Sequence, residues 1–198
     1  MNIKTPPSVT FLVGLPCSGK STYVETHMSE HFVVSMDVIT EAIGKIFGYS
    51  YNDMFEKPLQ HRGLDQPASK KFGKVVPQPI EWKTWQPMHW DFLVETDEAS
   101  MIVFDLVLRN AAKRRNVVID MTNMSVNARK RTLSFFESFE KKAIVWKTSV
   151  EDSVKRSNQR YSQTGKKYIP QDAIERMAGS YQEPSAEEGF TTIIYKQG

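Results

Sequence analysis

The chain is poor in the residues that build stapled or metal-knit folds. It has one cysteine, Cys17, in 198 residues. No intramolecular disulfide can form, and a multi-cysteine zinc module is excluded. The four histidines, His27, His31, His61 and His89, are scattered with no H-E-x-x-H pattern. Apolar runs such as Ile102–Phe104 and Val117–Ile119 are far too short to cross a bilayer. The opening residues, Met1–Pro7, contain no apolar stretch of signal-peptide length. With 10 glycines and 10 prolines the composition is neither collagen-like nor low-complexity, and no internal repeat is visible. The formal charge of +3 is compatible with a polyanionic partner without specifying one. What remains, 40% hydrophobic and 25% charged residues, suits one ordinary globular domain. A soluble protein of a reducing compartment, the cytoplasm, is expected, with no membrane partner.

Short apolar runs alternate with helical periodicity. Ser8–Val13, Phe32–Ser35, Val117–Asp120, Ala143–Lys147 and Phe190–Tyr195 read as strands. Lys20–Glu30, Asp37–Phe47, Asp97–Arg115, Asn127–Phe139, Val150–Ser162 and Pro170–Tyr181 read as helices. In the second helix Val38, Ile39, Ala42, Ile43 and Ile46 are expected on one face. This alternation predicts an α/β three-layer sandwich with a mainly parallel central sheet and right-handed crossovers. Residues 48–95 interrupt the rhythm with five prolines, Pro58, Pro67, Pro77, Pro79 and Pro87. They are read as an insertion in a single domain spanning 1–198.

Gly14-Leu15-Pro16-Cys17-Ser18-Gly19-Lys20-Ser21 fits G-x-x-x-x-G-K-[ST], with a strand before it and a helix after it. Such a loop wraps its backbone N–H groups around a phosphate chain at a helix N-terminus. Gly14, Cys17, Ser18, Gly19, Lys20, Ser21 and Thr22 are therefore the expected contacts for a nucleoside triphosphate. The Lys20 ammonium adds charge at the β- and γ-phosphates, and the Ser21 hydroxyl can ligate Mg²⁺. An N-K-x-D guanine signature is absent.

Phosphoryl transfer also needs a group that orients the acceptor and cations that offset the developing charge. Asp37, just after the second strand, is either a general base or a helix cap. Asp120, closing Val117–Asp120, either supports Mg²⁺ and Ser21 or caps a turn with Thr122, Asn123 and Ser125. Residues 155–167 carry Lys155, Arg156, Arg160, Lys166 and Lys167 with no acid among them. Arg156 and Arg160 share a helical face. The stretch is either a solvated basic surface or, with Gly165 and Pro170 following, a hinged lid over about 154–170.

Taken in order, Gly14–Thr22, Asp37, Val117–Arg131, Val154–Arg160 with Ile169–Pro170, and Glu183–Phe190 resemble the kinase domain of polynucleotide 5′-hydroxyl kinases, from phages and from animal DNA-repair enzymes. The resemblance covers most of the chain outside 48–95. It implies an ATP- and Mg²⁺-dependent phosphotransferase in which Asp37 is the general base. It implies that Lys20 and Ser21 hold the ATP phosphates and Mg²⁺, that Arg160 meets the γ-phosphate, and that Arg156 helps to bind ATP. Met36 stands where the family often has arginine, and Thr40 where phage members have an arginine for a substrate phosphate; both departures bear on the acceptor. No D-x-D-G-T phosphatase motif is present, so a kinase without a phosphatase domain is expected. A phage-encoded protein of this kind would work in the host cytoplasm.

On the acceptor side, 48–95 interleaves Lys57, Arg62, Lys70, Lys71, Lys74 and Lys83 with Trp82, Trp85 and Trp90. Such a pattern suits a nucleic-acid strand or an extruded base, although the same rings can simply pack the segment. Thr122, Asn123 and Arg129 are further candidate substrate contacts. The expected substrate is DNA or RNA, at a 5′-hydroxyl end. A hydroxymethylated base in phage DNA, a nucleoside or sugar acceptor, and a non-catalytic ATP-dependent nucleic-acid-binding module are the alternatives.

Overall fold

The computed structural model describes residues 6–46, 88–165 and 167–198, with side chains from 99 onward in the middle stretch. Five strands form one all-parallel sheet: β1 (Ser8–Val13), β2 (Phe32–Val34), β3 (Asn116–Ile119), β4 (Glu140–Lys147) and β5 (Thr192–Gln197), in the order β2-β3-β1-β4-β5. Among the described residues the α-helices are α1 (Lys20–His27), α2 (Met36–Ile46), α3 (Met88–Ala111), α4 (Val126–Leu133), α5 (Val150–Thr164) and α6 (Gln171–Gly179). The expected α/β sandwich with a parallel sheet is therefore present.

Sheet position follows from composition. Strand β1 lies between β3 and β4, with Phe11 level with Ile119 on one side and Ala143 on the other. A central strand is covered on both faces, so Val9 and Phe11–Val13 are completely buried. Each such side chain contributes about 1.5–3 kcal/mol of burial. The edge strands are less apolar in effect: Val33 on β2 is 40% exposed, and Ile194 and Tyr195 on β5 are also exposed.

Two compact units divide the chain: one comprises 1–36 and 105–198, the other 37–104. The first contains the whole sheet. The described part of the second consists of helical segments of α2 and α3, in which Ile39, Ile43 and Phe104 are buried.

Several boundaries differ from expectation. Helix α3 begins at Met88 rather than Asp97, so residues 88–95 belong to a helix; 88–111 contain no glycine or proline to interrupt it. In α2 the buried stripe is Ile39, Thr40, Ile43 and Gly44, while Val38 and Ile46 are 61% and 77% exposed. The face is turned by one residue from the one expected. The helix expected over Asn127–Phe139 stops at Leu133 and tightens into a 3₁₀ turn, Ser134–Phe136. Phe136 and Phe139 then meet edge to face, 5.1 Å between centroids, in the core. The last strand starts at Thr192, two residues later than expected, although Phe190 is buried against Phe11.

Candidate functional site

The loop between β1 and α1 is built from strained backbone. Gly14 has φ of 150°, Cys17 of 58° and Gly19 of 98°. A Cβ on Gly14 would lie 3.0 Å from the Trp146 carbonyl oxygen, so only glycine fits. Gly19 caps α1 without a side-chain hydrogen bond, and the first turn carries no acid. The N–H groups of that turn thus meet no capping side chain, which suits an anion. Lys20 is buried, and its ammonium donates to the Gly14 carbonyl at 2.9 Å, the Leu15 carbonyl at 2.6 Å and Ser18 Oγ at 3.1 Å. Ser18 is buried with it, while Ser21 and Thr22 are exposed on the first turn of α1.

The loop after β3 meets this cradle. Ser21 Oγ donates to Asp120 Oδ2 at 2.9 Å. Gly14 N–H donates to the Thr122 carbonyl at 3.0 Å. Asn123 has φ of 48°, and its buried amide nitrogen donates to the Leu12 carbonyl at 2.8 Å and the Ile119 carbonyl at 3.3 Å. Asparagine tolerates this backbone better than most residues. Thr122 and Asn123 thus tie the β3 loop to β1 and the cradle.

Helix α5 closes the cradle from a third side. Ser149 caps it by accepting from Asp152 N–H at 3.0 Å, and Gly165, at φ 65°, ends it. Ser153 Oγ donates to the Pro16 carbonyl at 2.6 Å, and Arg156 Nη1 reaches the Cys17 carbonyl at 3.4 Å. Ser157 exchanges hydrogen bonds with both backbone groups of Ile169. Arg160 donates to the Lys167 carbonyl and its Nε is buried without a partner among the described residues. Among the described residues, Arg156 hydrogen-bonds the phosphate loop, whereas Arg160 hydrogen-bonds the Lys167 carbonyl.

Arg129 is a correction. It was expected to meet substrate, but its side chain is fully buried and paired with Glu188. Its Nε and Nη2 donate to the two Glu188 carboxylate oxygens, and Nη1 donates to the Asn123 and Gln182 carbonyls. Four N–H groups are committed internally, which leaves no exposed fork for a substrate phosphate. Lys130 and Arg131 are exposed on α4, and Arg131 pairs with Asp105. Asp37 is exposed in the first turn of α2, in the second unit. Trp82 and Trp85 lie outside the described residues.

Two contributors were not anticipated. Trp146 is buried, with its backbone against Gly14 and its indole nitrogen 3.9 Å from where a Cβ on Gly19 would be. It also meets Tyr23 of α1 edge to face at 5.4 Å. Ser153 clasps the loop from α5. Trp146 was visible only as a member of an apolar strand, and Ser153 only as one serine in a basic helix; neither carries a sequence signal for its contact.

The donor set fits a triphosphate with Mg²⁺. The cradle supplies backbone N–H groups and one ammonium. Ser21 and Asp120 supply hard oxygen only, which suits an ion that keeps waters and substrate phosphates as its other ligands. No group of three or more metal-binding His, Cys, Asp or Glu side chains exists among the described residues. No described helix is long and apolar enough to cross a membrane.

A family model described as an AAA domain matches residues 9–184. Among solved structures, a gluconokinase from Sinorhizobium meliloti 1021 is similar over 98% of this chain and 84% of its own, at 12% identity and a TM-score of 0.52. A chain of the PezAT toxin–antitoxin system of Streptococcus pneumoniae is similar over 98% of this chain and 69% of its own, at 17% identity and TM-score 0.54. A chain of the Pnkp1/Rnl/Hen1 RNA repair complex is similar over 90% of this chain but 45% of its own, at 22% identity and TM-score 0.51. These likenesses show a shared P-loop kinase-like fold.

Proposed function

We propose a phosphotransferase function from this premise: the chain belongs to the AAA domain family and has a P-loop kinase-like fold. The acceptor we assign is a hydroxyl on nucleic acid, at the 5′ end of DNA or RNA. The observation that carries the transfer reading is the docking of α5 on the phosphate loop through Ser153 and Arg156. It sets an arginine-bearing helix beside the triphosphate cradle. A module that only binds nucleotide has no need of cations placed for the transferred group.

Lys20 would leave its loop partners to meet the β- and γ-phosphates. Ser21, oriented by Asp120, would hold Mg²⁺, which when bound would offset phosphate charge. The Asp37 carboxylate takes the proton of the acceptor hydroxyl, whose oxygen bonds to the γ-phosphorus as the bond to the β–γ bridging oxygen breaks and ADP leaves. Arg156, and Arg160 once released from Lys167, offset charge on the transferred group. We read the whole chain as one such kinase with a lid at about 154–170 and an insertion beginning near 48. The acceptor assignment rests on the ordered motifs Gly14–Thr22, Asp37, Val117–Arg131 and Val154–Arg160. The RNA repair complex among the similar folds fits it, while the gluconokinase is named for a sugar-acid acceptor.

The test is a γ-phosphate transfer screen over 5′-hydroxyl DNA, 5′-hydroxyl RNA, hydroxymethyl-base duplexes, nucleosides and sugars, with the labelled atom mapped. Label on a terminal 5′ oxygen is expected. No label on any 5′-hydroxyl end sinks the acceptor assignment; label on a small molecule replaces it.

A further inference from the structure

The geometry points to Arg129 and Glu188 as a positioning pair for the Mg²⁺ end of the site, an inference that rests on the phosphotransferase reading. The loop that carries Asp120 is fixed at each successive residue. Asp120 N–H donates to the Val34 carbonyl at 2.9 Å, and the Thr122 carbonyl accepts from Gly14 at 3.0 Å. The Asn123 amide reaches back to Leu12, and the Asn123 carbonyl accepts from Arg129 Nη1 at 2.8 Å. Asn123 holds a positive φ, which asparagine tolerates, and both its amide and its carbonyl are tied down. Arg129 holds that carbonyl from a fully buried position. Its own orientation is set by the bidentate pair with Glu188, at 2.8 and 2.7 Å.

Glu188 belongs to a strap, residues 182–188, laid across the same loop. The Gln182 N–H donates to the Met124 carbonyl at 2.8 Å, and Gln182 Oε1 accepts from Val126 N–H at 2.9 Å. The Gln182 carbonyl accepts from Arg129 at 2.9 Å, and Glu188 Oε1 also takes the Ser185 N–H at 3.2 Å. A buried ion pair is a weak source of net stability, but this one orients a guanidinium that also holds two loop and strap carbonyls. Here the geometry fixed is the loop whose Asp120 holds Ser21. The strap thus determines how well Ser21 and Asp120 are presented to Mg²⁺.

The test compares ADP affinity with Mg²⁺ and with chelator, by calorimetry, in the parent and in Arg129→Lys, Glu188→Gln and Asn123→Gly. Lysine keeps the charge but loses the fork to the two carbonyls. Glycine keeps the positive φ and loses the amide anchor, so it remains folded if the others do not. Each folded variant is expected to lose about 10-fold of the gain in affinity that Mg²⁺ confers, as outer-sphere partners of a metal site do. Metal-free affinity should stay within about two-fold of the parent. Leu108→Ala, which removes a fully buried side chain that makes none of the loop hydrogen bonds, should lower Tm and leave the Mg²⁺ gain intact. A Mg²⁺ gain equal to the parent's in the folded variants overturns the inference, as does an equal loss with and without the ion. A parent that binds no ADP removes the phosphotransferase reading itself, and the inference with it.

Discussion

Replacing Gly14 with alanine tests how the phosphate cradle is built. A Cβ there would sit 3.0 Å from the Trp146 carbonyl oxygen, 3.1 Å from Trp146 Cβ and 3.3 Å from Ser18 Oγ. The first two belong to β4, which is paired with β1 through Val13 and Val145 and with β5 through Trp146 and Lys196. The third accepts the Lys20 ammonium. Two costs add. Holding a non-glycine residue at this φ costs about 1–3 kcal/mol, and forcing a methyl into a packed site costs about 1–3 kcal/mol more. Gly165 is the internal control: its φ is also positive, at 65°, yet a Cβ there would meet nothing within 4 Å. Gly165→Ala should therefore cost only about 1 kcal/mol. At roughly 2–4 °C per kcal/mol for a chain of this size, the control loses a few degrees of Tm and Gly14→Ala at least twice as much. Scanning calorimetry and ATP titration read the two effects together. Gly14→Ala should also weaken ATP binding at least about ten-fold, because the same clash displaces the loop. Equal Tm losses for the two variants, with ATP affinity unchanged in Gly14→Ala, refute the steric reasoning.

Other consequences can be checked separately. Asp37→Asn should lower kcat for transfer by about 10²–10⁴-fold while ATP binding persists; unchanged turnover would reduce Asp37 to a helix cap. Cys17 sits partly buried inside the loop, so saturating ATP should slow its alkylation, and equal rates with and without ATP count against the loop assignment. Ser153→Ala removes a buried hydrogen bond to the Pro16 carbonyl and should destabilise the protein by about 1 kcal/mol while loosening ATP binding, measured by unfolding and titration. The Tyr195 phenol is held above its ordinary pKa, first by its hydrogen bond to Glu183. The protonated phenol is the stabilised form, so this contribution is present below the unfolded pKa of about 10 and fades as pH rises through the folded value. Ultraviolet titration should show that transition moving down in Glu183→Gln; an unmoved transition denies the coupling.

The strands and the phosphate loop were legible because their signals are local. A parallel strand buried on both faces must be a short continuous apolar run, and Ser8–Val13 is one. A phosphate loop needs glycine where φ is positive and a lysine at the helix start, which is a pattern of adjacent residues. Helix limits were less legible, since tertiary packing decides them. Nothing in Ser134–Phe139 forbids an α-helix, yet the chain tightens there so that Phe136 and Phe139 both reach the core.

Arg129 shows why the site was harder to read than the fold. In sequence it stands beside Lys130 and Arg131, and three consecutive cations suggest a surface for phosphates. Successive helical residues are about 100° apart, so the three cannot share a face. In α4 it is Arg129 that turns inward, and an inward guanidinium is tolerable only with a carboxylate and further acceptors around it. Glu188 meets that need from 59 residues away along the chain. The acids of residues 183–188 therefore include the partner that fixes the Asp120 loop. Charge counted along a sequence separates neither surface arginines from buried ones nor free carboxylates from paired ones. That separation depends on which helix face meets which strap, and here it moves Arg129 from contacting substrate to holding the loop beside it.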